Sequence, residues 1–176
     1  MPSVLVNCYD ERGRFPAVVP DEVQGGATAT RLLLEAGHRR IAFVNDAAPS
    51  PASVGRLAGY KAALAQFDVD FDPSLVLSVT ADQEGGYGAA AQVLATGATG
   101  VFCHNDRTAL GLYDALRESG KRVPDDISVV GFDNQEVISA HMHPALTTVG
   151  LPQYDLGVMG VRTCCVVAEP TMTNRR

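Results

Sequence analysis

Tryptophan is absent, and aromatic residues make up only 6% of the 176 residues. No apolar run approaches the roughly 18 residues that a membrane-crossing helix needs, which excludes one. Cysteine is scarce: Cys8, Cys103, Cys164 and Cys165 show no CxxC spacing, so neither a disulfide framework nor a cysteine metal site is indicated. "EGGYG" (84–88) lacks the GxGxxG pattern, and no GxxxxGK followed by Ser or Thr occurs, so a phosphate-cradling loop is unsupported. No Gly-x-Ser-x-Gly elbow appears, and neither Cys8 nor Cys103 has an evident base partner. His141 and His143 in "HMHP" stand two apart without a third ligand and read as surface loop residues beside Pro144. These absences leave no metal, no cofactor and no catalytic set in view.

Basic charge is also short. Fourteen Lys and Arg stand against 20 Asp and Glu, a formal charge of −6, which argues against nucleic acid wrapping this chain through a basic face. The opening "MPSVLVNCYDERGR" has a short apolar run followed by charges and no basic stretch before it. It reads as a strand and not as an export signal, and a cytoplasmic location is expected. Cys8 and Cys103, in strand-like runs, are expected to be small buried hydrophobes. What is present is ordinary: 46% hydrophobic and 19% charged residues, in a chain long enough to bury about 70% of its unfolded surface.

Along the chain, short apolar runs alternate with helical periodicity. Strands are expected at 4–8, 15–20, 40–46, 74–79, 100–105, 126–134 and 145–149. Helices are expected at 21–37, 54–67, 84–97, 107–120 and 151–169, with Asp21 an N-cap and Gly37 and Gly120 closing residues. Apolar strands without clean alternation, separated by helices, predict an α/β fold with a doubly wound parallel sheet. About five strands between Arg40 and Val149 suffice for one complete unit. Residues 1–37 supply too little to close a core alone.

In such a sheet, ligands bind beyond the carboxyl ends of the strands. The polar residues there are Asp46, Asp82, Asn105 with Asp106, and Asp133 with Asn134. Asp106, before "RTALGLYDAL", reads as the N-cap of the next helix, which leaves Asn105 for ligand contact. A buried Asp133 needs a partner. Together with Arg56, early in the helix 54–67, it forms a donor and acceptor pair suited to a polyhydroxylated molecule.

The segments "DEVQGGATATRLLLEAGHRRIAFV", "GRLAGYKAAL", "FCHNDRTALGLYDALRESGKRVPDDISVVGFDN" and "PALTTVGLP" closely resemble the LacI/GalR family of bacterial transcription regulators, in order across roughly residues 3–168. What they resemble is the effector-binding core, whose fold is that of type I periplasmic binding proteins. The resemblance implies two α/β subdomains with a small-molecule effector between them: a partial first subdomain (1–37 and 150–168), a complete second one (38–149) and a tail at 169–176.

It implies effector contacts at Arg56, Asn105 and Asp133, and specificity positions at Ser50, Ala52, Ala81 and Leu151. Leu110 and Met142 match positions that pack across a homodimer interface. The helix-turn-helix through which the family contacts operator DNA has no counterpart in these residues, so the chain by itself is expected not to bind operator. An exposed sheet edge and apolar surface are expected, favouring dimerisation or strand exchange. The expected function is an effector-binding, dimerising module of a regulator. The alternatives are a transporter's solute-binding protein with the same fold and, less supported, a small α/β enzyme of flavodoxin-like or hydrolase type.

Overall fold

Four consecutive residues, Ile41 to Val44, have no exposed surface at all. A strand buried on both faces belongs inside a parallel sheet covered twice. The computed structural model, which describes residues 3–10 and 12–168, shows that sheet. In chain order the elements are β1 (Leu5–Val6), β2 (Ala17–Val18), α1 (Glu22–Glu35), β3 (Ile41–Asp46), α2 (Pro51–Gln66), a 3-10 turn (Pro73–Leu75), β4 (Val76–Val79), α3 (Gln83–Ala95), β5 (Gly100–Cys103), α4 (Asp106–Glu118), β6 (Ser128–Asp133), α5 (Glu136–Ser139), β7 (Thr147–Gly150) and α6 (Gln153–Ala168). The chain divides between Pro20 and Asp21 and again between Gly150 and Leu151. The tail expected at 169–176 lies outside the described residues.

The larger unit, 21–150, holds five parallel strands in the order β4-β3-β5-β6-β7. The chain runs from β3 outward to β4, then returns across β3 to β5 and continues through β6 to β7. The order therefore reverses between β3 and β5, and there the loops leaving the carboxyl ends part to make a crevice. One face carries Ala42, Val44, Leu77, Val101, Cys103 and Val129 against α3 and α4. On the other face Phe43 stacks on Phe102 at 4.5 Å between ring centroids and on Tyr60 of α2 at 5.6 Å. The Tyr60 hydroxyl donates to the Ile41 carbonyl at 2.8 Å, so that buried polar group is satisfied.

Helix α1 belongs to this unit, and the boundary falls at Pro20/Asp21 and not at the expected 37/38. The reason is packing. Leu33 and Leu34 are buried, and α1 lies against α2, β5, β6 and β7. The two helices meet through glycine. A Cβ at Gly26 would strike the Arg56 backbone, and one at Gly59 would strike the Val23 carbonyl, so only glycine permits this approach.

Other differences are local. Ser50 and Ser53 form a reciprocal capping box with Pro51 at the first helical position, so α2 starts three residues earlier than expected. Helix α5 was not anticipated. Cys103 is buried as expected, but Cys8 is exposed because the two-residue β1 ends at Val6 and Asn7 turns the chain at φ +59°. His141 and His143 are exposed.

In the smaller unit, β1 and β2 pair in parallel, Leu5 with Ala17 and Val6 with Val18. Helix α6 packs on them and buries Leu156 beside the partly covered pair. This unit exposes large apolar side chains: Val6, Tyr9, Phe15, Val19, Tyr154, Met159, Val161 and Val166.

Candidate effector site

Arg56 lies on the second turn of α2, pointing toward the carboxyl ends of β5 and β6, and the residue is only 4% exposed. A buried guanidinium requires compensation, and four neighbours supply it. Its Nε donates to Glu22 Oε2 at 2.7 Å and its Nη2 to Glu22 Oε1 at 3.4 Å. Nη1 donates to the His104 carbonyl. Nη2 lies 3.7 Å from Asp133 Oδ1. The guanidinium carbon sits 3.7 Å over the Phe132 ring, a desolvated cation–π contact. Glu22 reaches Arg56 because Asp21 caps α1, accepting from Gln24 N at 2.8 Å, and because the glycine contact holds α1 on α2.

The expected pairing of Arg56 with Asp133 is therefore present. Asp133 ends β6 with φ +103°, and Asn134 follows at +52°. Two successive non-glycine residues in that region cost backbone energy and occur where a site fixes them. Here the turn aims the Asp133 carboxylate at Arg56, while Gln135 Nε2 donates to Asp133 Oδ2 at 3.2 Å. Burial raises the Asp133 pKa, with Arg56 and Gln135 opposing that rise and the charges of Asp106 and Glu22 adding to it.

Asn105, and not the expected Asp106, is the N-cap of α4. The strand β5 stops at Cys103, so Asn105 is the N-cap: its Oδ1 accepts from Thr108 N at 2.8 Å and Thr108 Oγ1 at 2.9 Å. Its Nδ2 donates to the Ala81 carbonyl at 3.0 Å, leaving one amide hydrogen over. Asp106 is the first helical residue and is wholly buried. It accepts from Gln135 N at 2.7 Å and Thr148 Oγ1 at 2.6 Å, tying α4 to the turn after β6 and to β7. Burial raises its pKa, and these donors oppose the rise.

His104 lies in the reversal between β3 and β5. Asn45 Nδ2 donates to the Ser53 carbonyl at 3.0 Å, so Asn45 Oδ1 is the acceptor facing His104 Nδ1 at 3.0 Å. That assigns the proton to Nδ1. Burial and then the Arg56 charge push the His104 pKa down to about 4, against a smaller opposing effect of Asp46. The imidazole is neutral at pH 7.

Of the remaining candidates, Ser50 caps α2 through Ser53 N at 3.0 Å, Ala52 is half-buried in the first turn of α2, and Ala81 is half-buried at the mouth of the loop after β4. Asp82 caps α3 through Gly85 N, and Asp46 holds the loop after β3 through Ala48 N at 3.0 Å. Leu151 belongs to the smaller unit. Leu110 and Met142 pack on the core and line an open cavity of about 440 Å³ between α4 and the segment after α5. Among the described residues, no cluster of His, Cys, Asp and Glu could hold a metal, and no helix is long and apolar enough to cross a membrane.

Sequence reasoning missed Glu22, His104 and Phe132. An acidic residue in a helix's first turn is ordinarily explained by the helix dipole, so nothing local marks Glu22. A polar residue directly after the buried strand "VFC" was the available signal for His104.

The profile of the periplasmic binding protein-like domain family matches residues 30–168. The chain is 35% identical over 159 residues to the HTH-type transcriptional repressor PurR of Vibrio atlanticus, covering 89% of this chain and 47% of that protein. It is 30% identical to the ribose operon repressor of Haemophilus influenzae, covering 93% of this chain and 49% of that protein. A crystal structure of a LacI family transcriptional regulator from Enterococcus faecium with bound ribose superposes with a TM-score of 0.86 at 34% identity, covering 93% of this chain and 61% of that one. The chain thus spans about half the length of these two repressors. It belongs to the periplasmic binding protein-like domain family, in the form that makes the effector-binding core of LacI/GalR-type regulators.

Proposed function

We propose that this chain is the effector-binding and dimerisation module of a LacI/GalR-type transcriptional regulator, and that its effector is a sugar or a related polyhydroxylated molecule. The observation that carries the proposal is the Arg56–Asp133 pair at the carboxyl ends of the sheet. A vicinal diol can donate to the Asp133 carboxylate while accepting from Arg56, and charge-assisted hydrogen bonds of this kind are the strong ones. The ribose in the Enterococcus relative supports that ligand class. The relatives described are regulators, which favours this reading over a transporter's solute-binding protein.

In the whole regulator the effector acts by preferring one arrangement of the protein, since a ligand shifts an equilibrium only by its differential affinity. Dimerisation is supported by the open cavity around Leu110, Tyr113 and Met142 and by the exposed apolar side chains of the smaller unit. Operator contact belongs to parts of a regulator beyond these residues, and a cytoplasmic location follows from that role.

The test is thermal unfolding against a panel of pentoses, hexoses, disaccharides and nucleosides. A compound at a hundred times its Kd stabilises by about 2.7 kcal/mol, and Arg56→Ala removes the shift. A shift retained in Arg56→Ala places the ligand elsewhere.

A further inference from the structure

The ion pair between Glu22 and Arg56 poses a charge question that the effector proposal leaves open. Arg56 is the cation of the site, and two carboxylates already face its guanidinium. Glu22 engages Nε at 2.7 Å and Nη2 at 3.4 Å, and Asp133 lies 3.7 Å from Nη2. The other groups against it are neutral: the His104 carbonyl and the Phe132 ring. The next titratable side chain, His104, carries no charge at pH 7. Asp106, also buried nearby, adds a further acidic group.

We propose that Glu22 is a specificity-determining residue: as a built-in counter-anion to Arg56, it makes the site select uncharged polyhydroxylated ligands and reject anionic ones such as phosphate esters. This rests on the effector reading of Arg56 and Asp133. A phosphate or carboxylate approaching Arg56 must either expel Glu22, breaking a two-point pair in a place where only 5% and 11% of the two side chains are exposed, or lie against two carboxylates with one guanidinium between them. In low dielectric both routes are unfavourable. A hydroxyl group meets neither obstacle. It can donate to a carboxylate oxygen and accept from an Nη hydrogen without adding charge. Rejection by an uncompensated like charge is a strong source of discrimination. Glu22 is held where it is by the α1 cap and the Gly26–Gly59 approach.

The test follows the Arg56 Nε–Hε resonance of the ¹⁵N-labelled chain, assigned with Arg56→Lys, during titration with inorganic phosphate and with ribose 5-phosphate. In the native chain neither anion moves the resonance. In Glu22→Gln both produce a saturable shift, with affinity at least tenfold above the native chain. Glu22→Asp, which keeps the charge but shortens the reach, rejects both anions as the native chain does. A thermal melt of each variant confirms that it is folded. An anion-dependent shift in the native chain, anion capture by Glu22→Asp, or a folded Glu22→Gln that still ignores phosphate overturns the proposal. If Glu22→Gln does not fold, the native chain and Glu22→Asp decide. The titration uses no uncharged sugar, and inorganic phosphate carries no sugar at all, so failure of the sugar panel counts against the effector reading and leaves this result standing.

Discussion

Thr148 donates its hydroxyl to Asp106 Oδ1 at 2.6 Å, joining strand β7 to the first residue of α4 across 42 positions of sequence. Asp106 is fully buried, and its other oxygen accepts from Gln135 N. Removing the hydroxyl strips a buried carboxylate of one of its donors. Thr148→Val, nearly isosteric, is expected to destabilise the chain by about 1–3 kcal/mol. Urea unfolding measures this, and a change under about 0.5 kcal/mol contradicts the bond's importance.

Asn105 offers a cleaner separation of cap from site. Asn105→Ala loses the helix cap and is expected to cost about 1 kcal/mol. Asn105→Asp keeps a capping oxygen for Thr108 N but loses the donor to the Ala81 carbonyl. It should recover most of that stability in chemical denaturation. Equal losses in the two variants would show that the Ala81 contact, not the cap, is what matters.

The α1–α2 contact is a second pressure point. Gly59→Ala forces a methyl group onto the Val23 carbonyl. Overpacking of this kind costs about 1–3 kcal/mol, and spreading the helices also draws Glu22 from Arg56. The expected result is a lower melting temperature together with a perturbed Arg56 Nε–Hε resonance. A native melt would mean that the helices separate freely.

Acid stability should carry the signature of His104. Its folded pKa, about 4, lies below the ordinary 6.5, so its neutral form contributes stability that is present above pH 6.5 and is lost as pH falls toward 4. The full effect is up to about 3 kcal/mol, at 1.36 kcal/mol per pH unit. Asp106 and Asp133, with raised pKa values, act oppositely: their contribution is present at low pH and fades as pH rises. The difference between the native chain and His104→Gln isolates the histidine. Urea unfolding at a series of pH values should show a steeper acid loss in the native chain, and parallel curves would contradict the assignment.

These cases also show what could be read from the chain alone. The strands of the large sheet announce themselves because runs such as "RIAFV" and "SVVGF" are apolar on both faces, and that pattern belongs to covered parallel strands. Asp133 was legible as a buried carboxylate needing a partner, with Arg56 among the candidates. That Asn105 and not Asp106 caps α4 was not, because both residues make good caps and only the end of β5 at Cys103 decides between them. Ser50, Pro51 and Ser53 did carry a readable capping signal, obscured by a loop-like "AAPSPAS". Glu22 and Thr148 were invisible because their partners stand 34 and 42 residues away, joined only by helix packing and strand order.

The most direct test of the account is calorimetric titration of the tightest-binding sugar from the panel into the native chain and into Asp133→Asn. Replacing a charged acceptor by a neutral one at the same position should weaken binding by about tenfold to a hundredfold while leaving the melting temperature close to native. Unchanged affinity in Asp133→Asn would contradict the central claim that the Arg56–Asp133 pair receives the effector.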